Sequence, residues 1–597
     1  MPLIHVNNLH ITLNTPNGKI YAVRQVSFSL YAGKTLALVG ESGCGKSITA
    51  LSLMRLLPEY MSYGNLITGE INYHAQNLLT LPEYQMRALR GRKIAMIFQE
   101  PMLSLNPVLK IKKQLIEALA KEILPMDQHK EMQRLLHDVG IADAERVLAS
   151  YPFELSGGMR QRVMIALALA GRPEILIADE PTTALDVTTQ AQILILLQSL
   201  QKKYQLSLLL ITHDLGVVAQ LADEVALMYA GEIVEYAEKN RFFEAPQHPY
   251  ALKLFDSLPE KSDPASLLPV LTGSVPVLTS IPIGCAFAPR CAHKMELCQR
   301  QVPAMRQIQE NQKVACHFVQ PQKFSATSIQ KVKKQTEGGI NYQVLPLLKV
   351  AQLNVNFTNK EKKLISVVKN VSFEIFPHET VALVGESGSG KTTIGRAILK
   401  LIQESTGEIT FRGRQIQVIF QDPYASLNPR LRVREILSEG LVAQKFVSSR
   451  DACEQKCITL LKQVGLDHSA LNRFPHEFSG GQRQRIAIAR ALSVNPDLII
   501  CDEAVSALDV SVQAQILNLL STLQKETGMS YLFITHNLNV VRYLAHRVAV
   551  LYQGQIVEYA ETATLFAAPQ TAYTKQLLSA IPQCVLPSAS SSEHITI

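Results

Sequence analysis

The feature that most constrains this chain is that it states one set of motifs twice. ALVGESGCGKS at Ala37 to Ser47 returns as ALVGESGSGKT at Ala382 to Thr392, and MIFQEPMLSLNP at Met96 to Pro107 returns as VIFQDPYASLNP at Val418 to Pro429. FELSGGMRQRV, ILIADEPTTALDV, LLITHDLGVV and APQHPY each recur in the same order. Self-similarity of this kind demands two copies of one fold rather than a single large domain. Lys46 and Lys391 lie 345 residues apart, whereas Glu180 and Glu503 lie 323 apart. The second copy therefore lacks a piece between its first two motifs. That piece corresponds to LLTLPEYQMRALRGRK, which reads as a peripheral surface helix and turn.

The repeat divides the chain into a first domain at 1–256, a cysteine-rich extension at 257–322, a flexible linker at 323–345 and a second domain at 346–597. The linker assignment rests on the polar, charged, Gly-ended run KFSATSIQKVKKQTEGG. The chain is 47% hydrophobic and 18% charged, enough apolar material for two cores, and its net charge of +8 is mild over 597 residues. Its most apolar stretch, near Leu267 to Ala288, is broken by Pro269, Pro276, Pro282 and Gly284, so no membrane span is expected. The start, MPLIHVNNLHITLN, does not read as a secretion signal. A cytosolic chain follows, and its nine cysteines are expected to be thiols or metal ligands rather than disulfides.

The motifs carry a recognisable chemistry. An apolar strand, a Gly-rich turn and a helix place Gly40, Glu41, Ser42, Gly43, Cys44, Gly45, Lys46, Ser47 and Ile48 around a phosphate chain at a helix N-terminus. The second copy offers Gly385, Glu386, Ser387, Gly388, Ser389, Gly390, Lys391, Thr392 and Thr393. Each lysine is expected to reach the β- and γ-phosphates, and Ser47 or Thr392 to ligate Mg²⁺. Cys44, inside the loop, reads as oxidation-sensitive. ILIADE and LIICDE are buried strands ending in two acids. Asp179 and Asp502 suit Mg²⁺ held through water, and Glu180 and Glu503 suit a general base on the attacking water. His213 and His536 follow a further apolar strand and can reach a γ-phosphate.

In this order, twice over, the motifs resemble those of ATP-binding-cassette ATPases. The resemblance implies an α/β fold of two tandem P-loop nucleotide-binding domains, each a RecA-like core with a helical subdomain. It also implies Q-loop glutamines, Gln99 and Gln421, that ligate Mg²⁺ and take part in catalysis. The signature residues Ser156, Gly157 and Gly158 of one half, and Ser479, Gly480, Gly481 and Gln482 of the other, are expected to cap ATP bound by the opposite half, since a hydroxyl and N–H groups at a helix start suit a γ-phosphate. Met159 stands where the second copy has Gln482, and Met cannot supply the amide.

GESGxGKS, IFQ[ED]P, SLNP and APQHPY together resemble the ATPases of bacterial oligopeptide and dipeptide importers, whose relatives also serve nickel chelates, glutathione and antibiotic peptides. That resemblance implies two separate permease subunits, a periplasmic substrate-binding protein, no nucleic acid, and a peripheral place on the cytoplasmic face of the inner membrane. The cluster Cys285, Cys291, Cys298 and Cys316 matches that family's cysteine-containing extension, where a [4Fe–4S] cluster can sit. The spacing alone leaves three readings open: iron–sulfur, zinc with His293 or His317, or reduced thiols. A rival class, the soluble twin-cassette ATPases of ribosomes, would need a basic helical arm between the domains or an N-terminal ferredoxin-like run. The chain shows neither.

Overall fold

The computed structural model describes residues 1–15, 18–57, 66–99, 104–183, 185–259, 266–271, 273–318, 340–358, 364–506 and 508–581. Most of the linker expected at 323–345, the EPML part of the first Q-loop motif and Cys584 lie outside them.

Each half is built on a short buried strand that runs straight into the phosphate loop: Thr35–Val39 in the first and Thr380–Val384 in the second, all five residues buried in both. Runs such as TLALV and TVALV are apolar on both faces because both sides of the parallel sheet are covered, one by helices and the other by the phosphate-loop helix together with an antiparallel sheet. Among the described residues, the second half's sheet orders its strands as Ile416–Ile419, Leu498–Asp502, Ser530–Ile534, Thr380–Val384, Arg547–Tyr552 and Gln555–Glu561. The first five run parallel, and the last pairs antiparallel with the fifth. The phosphate-loop strand is thus flanked by the strand leading to the switch histidine. The strand ending in the paired acids lies next along, so all three motifs emerge at one edge.

The first half repeats this order with Ile94–Ile97, Ile175–Asp179, Ser207–Thr212, Thr35–Val39, Glu224–Tyr229 and Glu232–Glu238, then continues. The hairpin Arg306–Gln309 and Gln312–Val314, from the cysteine-rich stretch, adds to its edge through Glu235↔Val314. A separate antiparallel sheet, with Ile4–Thr15 paired to Gly18–Leu30 and Leu66–Tyr73, packs on the first core. Leu348–Thr358, Leu364–Ile375 and Ser405–Phe411 do the same in the second. The stretch with no second-half counterpart forms the helix Glu83–Leu89, pinned by buried Met86 and by Arg90, which donates to Met54 O at 2.7 Å.

Helices Ile111–Ala118, Gln128–Asp138 and Ala144–Ala149 precede the signature helix Gly157–Leu169 and share its core. Val433–Ala443 and Arg450–Gln463 stand in the same way before Gly480–Leu492. Among the described residues no helix is long and apolar enough to cross a membrane.

Candidate functional site

The two phosphate loops are near replicas. Gly45 and Gly390 open their helices with φ of 105° each, in the region that favours glycine. A Cβ on Gly45 would meet Ala22 O at 2.5 Å, so space as well as conformation demands glycine. Lys46 is buried, and its Nζ donates to Gly40 O and Glu41 O at 2.7 and 2.9 Å. Lys391 does the same to Gly385 O and Glu386 O at 2.8 and 2.7 Å. These carbonyls hold each ammonium folded over its own loop. Ile48 and Thr393 follow on the helices that the loops start.

Ser47 Oγ donates to Asp179 Oδ1 at 3.1 Å, and Thr392 Oγ1 to Asp502 Oδ1 at 3.0 Å. Burial pushes the Asp179 carboxyl up to about 6, against the Ser47 hydrogen bond, and Asp502 shifts the same way. A buried hydroxyl–carboxylate pair of this kind is a hard oxygen donor set and fits Mg²⁺.

The adjacent glutamates sit in strained backbone, with φ of 48° at Glu180 and 49° at Glu503. Each is held there by its N–H on the neighbouring strand, Ile211 O or Ile534 O, at 2.8 Å. Non-glycine residues kept in this region mark functional sites more often than chance. The strain aims the Glu180 carboxylate at three side chains and the Glu503 carboxylate at two. Glu180 Oε2 accepts from Gln99 Nε2 at 2.8 Å and Thr183 Oγ1 at 2.9 Å, while Oε1 faces His213 Nδ1 at 3.0 Å. Burial alone would raise Glu180, but the bond and charge of His213 hold it down to about 2. Glu503 is oriented by Gln421 Nε2 at 2.6 Å and His536 Nδ1 at 3.2 Å. The hydroxyl that would match Thr183, on Ser506, is buried without a partner among the described residues. Both Q-loop amides therefore engage the glutamate rather than the Ser–Asp pair.

The halves interlock reciprocally. Asp509 accepts from Ser42 N at 3.0 Å and Ser42 Oγ at 2.7 Å, and Asp186 accepts from Ser387 N at 3.3 Å. Thr188 donates to Glu386 Oε1 at 2.7 Å, and Ser511 donates to Glu41. Between them lies a cavity of about 840 Å³ lined by Ser42, Gln99, Glu180 and His213 of the first half and Gln421, Gly480, Asp509 and His536 of the second. The first signature, Ser156 to Gly158, lies outside it.

Ser156 and Ser479 cap their helices, accepting from Met159 N and Gln482 N at 3.3 and 3.4 Å. Only the second completes the reciprocal box, with Ser479 N donating to Gln482 Oε1 at 3.1 Å. Gly158 and Gly481 have no room for a Cβ against the helices that follow the interlocking aspartates.

Cys44 departs from expectation. It is fully buried, and burial raises its thiol, so it is neither accessible nor a ready thiolate. The four clustered cysteines do converge. The Cys316 thiol is pushed up to about 11 by burial first, then by Cys285, Cys291 and Cys298 together. Among the described residues, however, no three His, Cys, Asp or Glu side chains are arranged to hold a metal ion. Sequence reasoning passed over Tyr250 and Tyr573, whose hydroxyls accept from Glu41 N at 2.9 Å and Glu386 N at 3.2 Å. The signal was present: both are the tyrosine of the repeated APQ-x-x-Y motif.

The ABC transporter family model matches residues 23–183 and 368–506. The model of the oligopeptide/dipeptide transporter C-terminal region matches 234–298 and 557–593. The glutathione import ATP-binding protein GsiA of Shigella boydii serotype 4 (strain Sb227) is 43% identical over 97% of this chain and 89% of its own. The Escherichia coli (strain K12) GsiA is similar to the same extent, at 43% over 97% and 89%. The archaeal ribosome recycling factor aABCE1, solved with ribosomal stalk protein aP1, is 19% identical over 92% of this chain and 90% of that one, with a TM-score of 0.55. That last likeness is one of fold.

Proposed function

The chain belongs to the ABC transporter family, in its oligopeptide/dipeptide group, and from that premise we propose that its two halves form two composite ATP sites that drive import through separate permeases. The carrying observation is the reciprocal interlock, Asp509 on Ser42 and Asp186 on Ser387, which sets each phosphate loop against the other half. ATP bound by Lys46 lies across from Ser479, Gly480, Gly481 and Gln482; ATP bound by Lys391 lies across from Ser156, Gly157 and Gly158.

Within each site the residues divide the work. Lys46 or Lys391 turns from its carbonyls to the β- and γ-phosphates. Ser47 with Asp179, and Thr392 with Asp502, would hold Mg²⁺, which supplies charge neutralisation on the phosphate oxygens. Glu180 and Glu503 orient and polarise the attacking water. In the nucleotide-free site the hydrogen bond and charge of His213 keep Glu180 ionised, so its carboxylate stands ready to accept a hydrogen bond from the attacking water and hold it in line. Gln99 and His213, and Gln421 and His536, fix the carboxylate and release it when nucleotide arrives.

The relatives' name, glutathione import ATP-binding protein, and the oligopeptide/dipeptide family model support a substrate class of glutathione and other short peptides; we propose that a periplasmic binding protein delivers it to two membrane permeases on whose cytoplasmic side this chain docks. We further propose that Cys285, Cys291, Cys298 and Cys316 hold a [4Fe–4S] cluster as a staple; the nearness of the other three thiols to Cys316 supports it, although no three of them stand in metal-holding geometry among the described residues, and no step of hydrolysis passes through it. Anaerobic protein that is brown and loses colour on Cys316→Ser supports the staple, and colourless iron-free protein refutes it. The catalytic assignment is tested by Glu180→Gln with Glu503→Gln, which should keep ATP binding and lower turnover by about 100-fold or more. Wild-type turnover in that double variant would sink it. Uptake of labelled glutathione that requires this chain and its permeases tests the substrate; ribosome co-sedimentation instead would favour the rival reading.

A further inference from the structure

One buried ion pair joins the cysteine segment to a phosphate loop, and nothing in the ATPase chemistry above requires it. Arg290, in the single turn Ala288–Arg290, forks onto Glu41 with Nη1 to Oε2 at 2.7 Å and Nη2 to Oε1 at 3.1 Å. The two side chains are 6% and 4% exposed, so both charges depend on each other for solvation. Tyr229 meets Tyr250 and Phe287 edge-to-face, with ring centroids 4.9 and 5.1 Å apart, and Arg290 lies over the Tyr229 ring and donates to its hydroxyl at 3.4 Å.

Glu41 belongs to the loop that carries Lys46, and it accepts a hydrogen bond from the Ser511 hydroxyl of the other half. Arg290 also donates to Gly273 O at 3.4 Å, on the strap that crosses between the halves. At one end of that strap Leu268 enters the second half's core and exchanges two hydrogen bonds with Asn518. Further along, Leu271 O accepts from Gln515, and Leu278 O accepts from Tyr21 N of the first half. Ser511, Gln515 and Asn518 share one face of the helix Val510–Thr527, spaced four and three residues apart. The turn that presents Arg290 is set by the cysteines: Cys285 N donates to Cys298 O, Ala288 N to Cys285 O, and Cys291 N to Ala288 O.

The second site has no such device. Glu386 accepts from Thr188 across the interface as Glu41 does from Ser511, but it is only half-buried. No salt bridge to it exists among the described residues, and partial solvation lets it do without one.

We propose that Arg290 is a positioning residue for the first ATP site alone: through Glu41 it makes nucleotide binding at Lys46 depend on the folded cysteine segment and its strap. Without the guanidinium, Glu41 is an unpaired buried carboxylate inside a loop that must accept a triphosphate. The proposal rests on the composite-site reading, so the test reads the two sites separately. In full-length protein, Lys391→Ala leaves the first site to bind and Lys46→Ala the second. Each parent is titrated at equilibrium with Mg²⁺ and the β,γ-imido analogue of ATP.

Arg290→Ala should weaken binding at least about tenfold in the Lys391→Ala parent. It should shift binding by no more than about twofold in the Lys46→Ala parent. Adding Glu41→Gln, which removes the stranded charge, should restore most of the lost affinity, a rescue that a merely misfolded segment would not give. Equal weakening at both sites, no weakening, or no rescue overturns the proposal. Two nucleotides bound by either parent would instead contradict the composite-site reading beneath it.

Discussion

Asp186 and Asp509 occupy equivalent places in the repeat, yet the structure assigns them different work, and replacing each with Ala should separate the two jobs. Asp509 starts the helix Val510–Thr527 without a side-chain cap bond and turns its carboxylate wholly to Ser42 of the other half. Asp186 caps the helix Val187–Tyr204 through Thr189 N at 2.9 Å and Thr189 Oγ1 at 3.1 Å, keeping only the 3.3 Å contact for Ser387. A buried hydrogen bond to a charged group contributes about 1.5–3 kcal/mol, but Ser42 is exposed, so about 1 kcal/mol for each bond is the fair value. Asp509→Ala then costs closure of the halves about 2 kcal/mol, a factor of about 30 in the closed population. Asp186→Ala loses well under that across the interface, and about 1 kcal/mol of helix capping within its own half. Steady-state kcat/KM for ATP, with thermal unfolding on the same samples, reads both. The expected pattern is a fall of about 30-fold with an unchanged melting midpoint for Asp509→Ala, against a fall of a few-fold with a midpoint lowered by about 2–4 °C for Asp186→Ala. Equal losses of activity, or the larger loss in Asp186→Ala, would refute the reasoning.

Met159→Gln should complete the capping box that Ser479 and Gln482 already form, stabilising the first half by about 0.5 kcal/mol. Denaturant midpoints check this, and an unchanged or lowered midpoint counts against it. His248 is buried neutral, with burial holding it down to about 3, so its contribution is complete above its unfolded value of 6.5 and is lost as pH falls from there towards 3. His248→Asn keeps a side-chain acceptor for Tyr250 N and should shrink the stability lost between pH 7 and 5 by about 2 kcal/mol. Glu235 works in the opposite sense: burial raises it to about 7, so its contribution is present below 4.5 and disappears as pH rises to about 7. The His248→Asn protein should therefore show stability that falls across pH 5 to 8, and a rise there would count against both assignments.

The two-copy architecture, and in each copy the strand, glycine turn and helix start of the phosphate loop, were legible in the chain. They were legible because each is local: a strand, a glycine turn and a helix start are dictated by side chains within a dozen residues. The strained φ of Glu180 and Glu503, the turn of Gln99 and Gln421 onto those glutamates, and the burial of Cys44 were not. Each is settled by a neighbouring strand or loop far away in sequence, which no period or spacing encodes.

The same boundary separates repeat from assembly. The sequence by itself determined that there are two nucleotide folds, since near-identical motifs must bury near-identical cores. Only the tertiary structure decided that the pair is unequal. Asp186 spends its carboxylate on its own helix and Asp509 on the opposite half, and Glu41 is paired to Arg290 while Glu386 stands half-solvated. Those differences come from contacts spanning about 200 to 470 residues of chain, where a partner's identity depends on how whole domains pack and on what the inserted cysteine segment places between them.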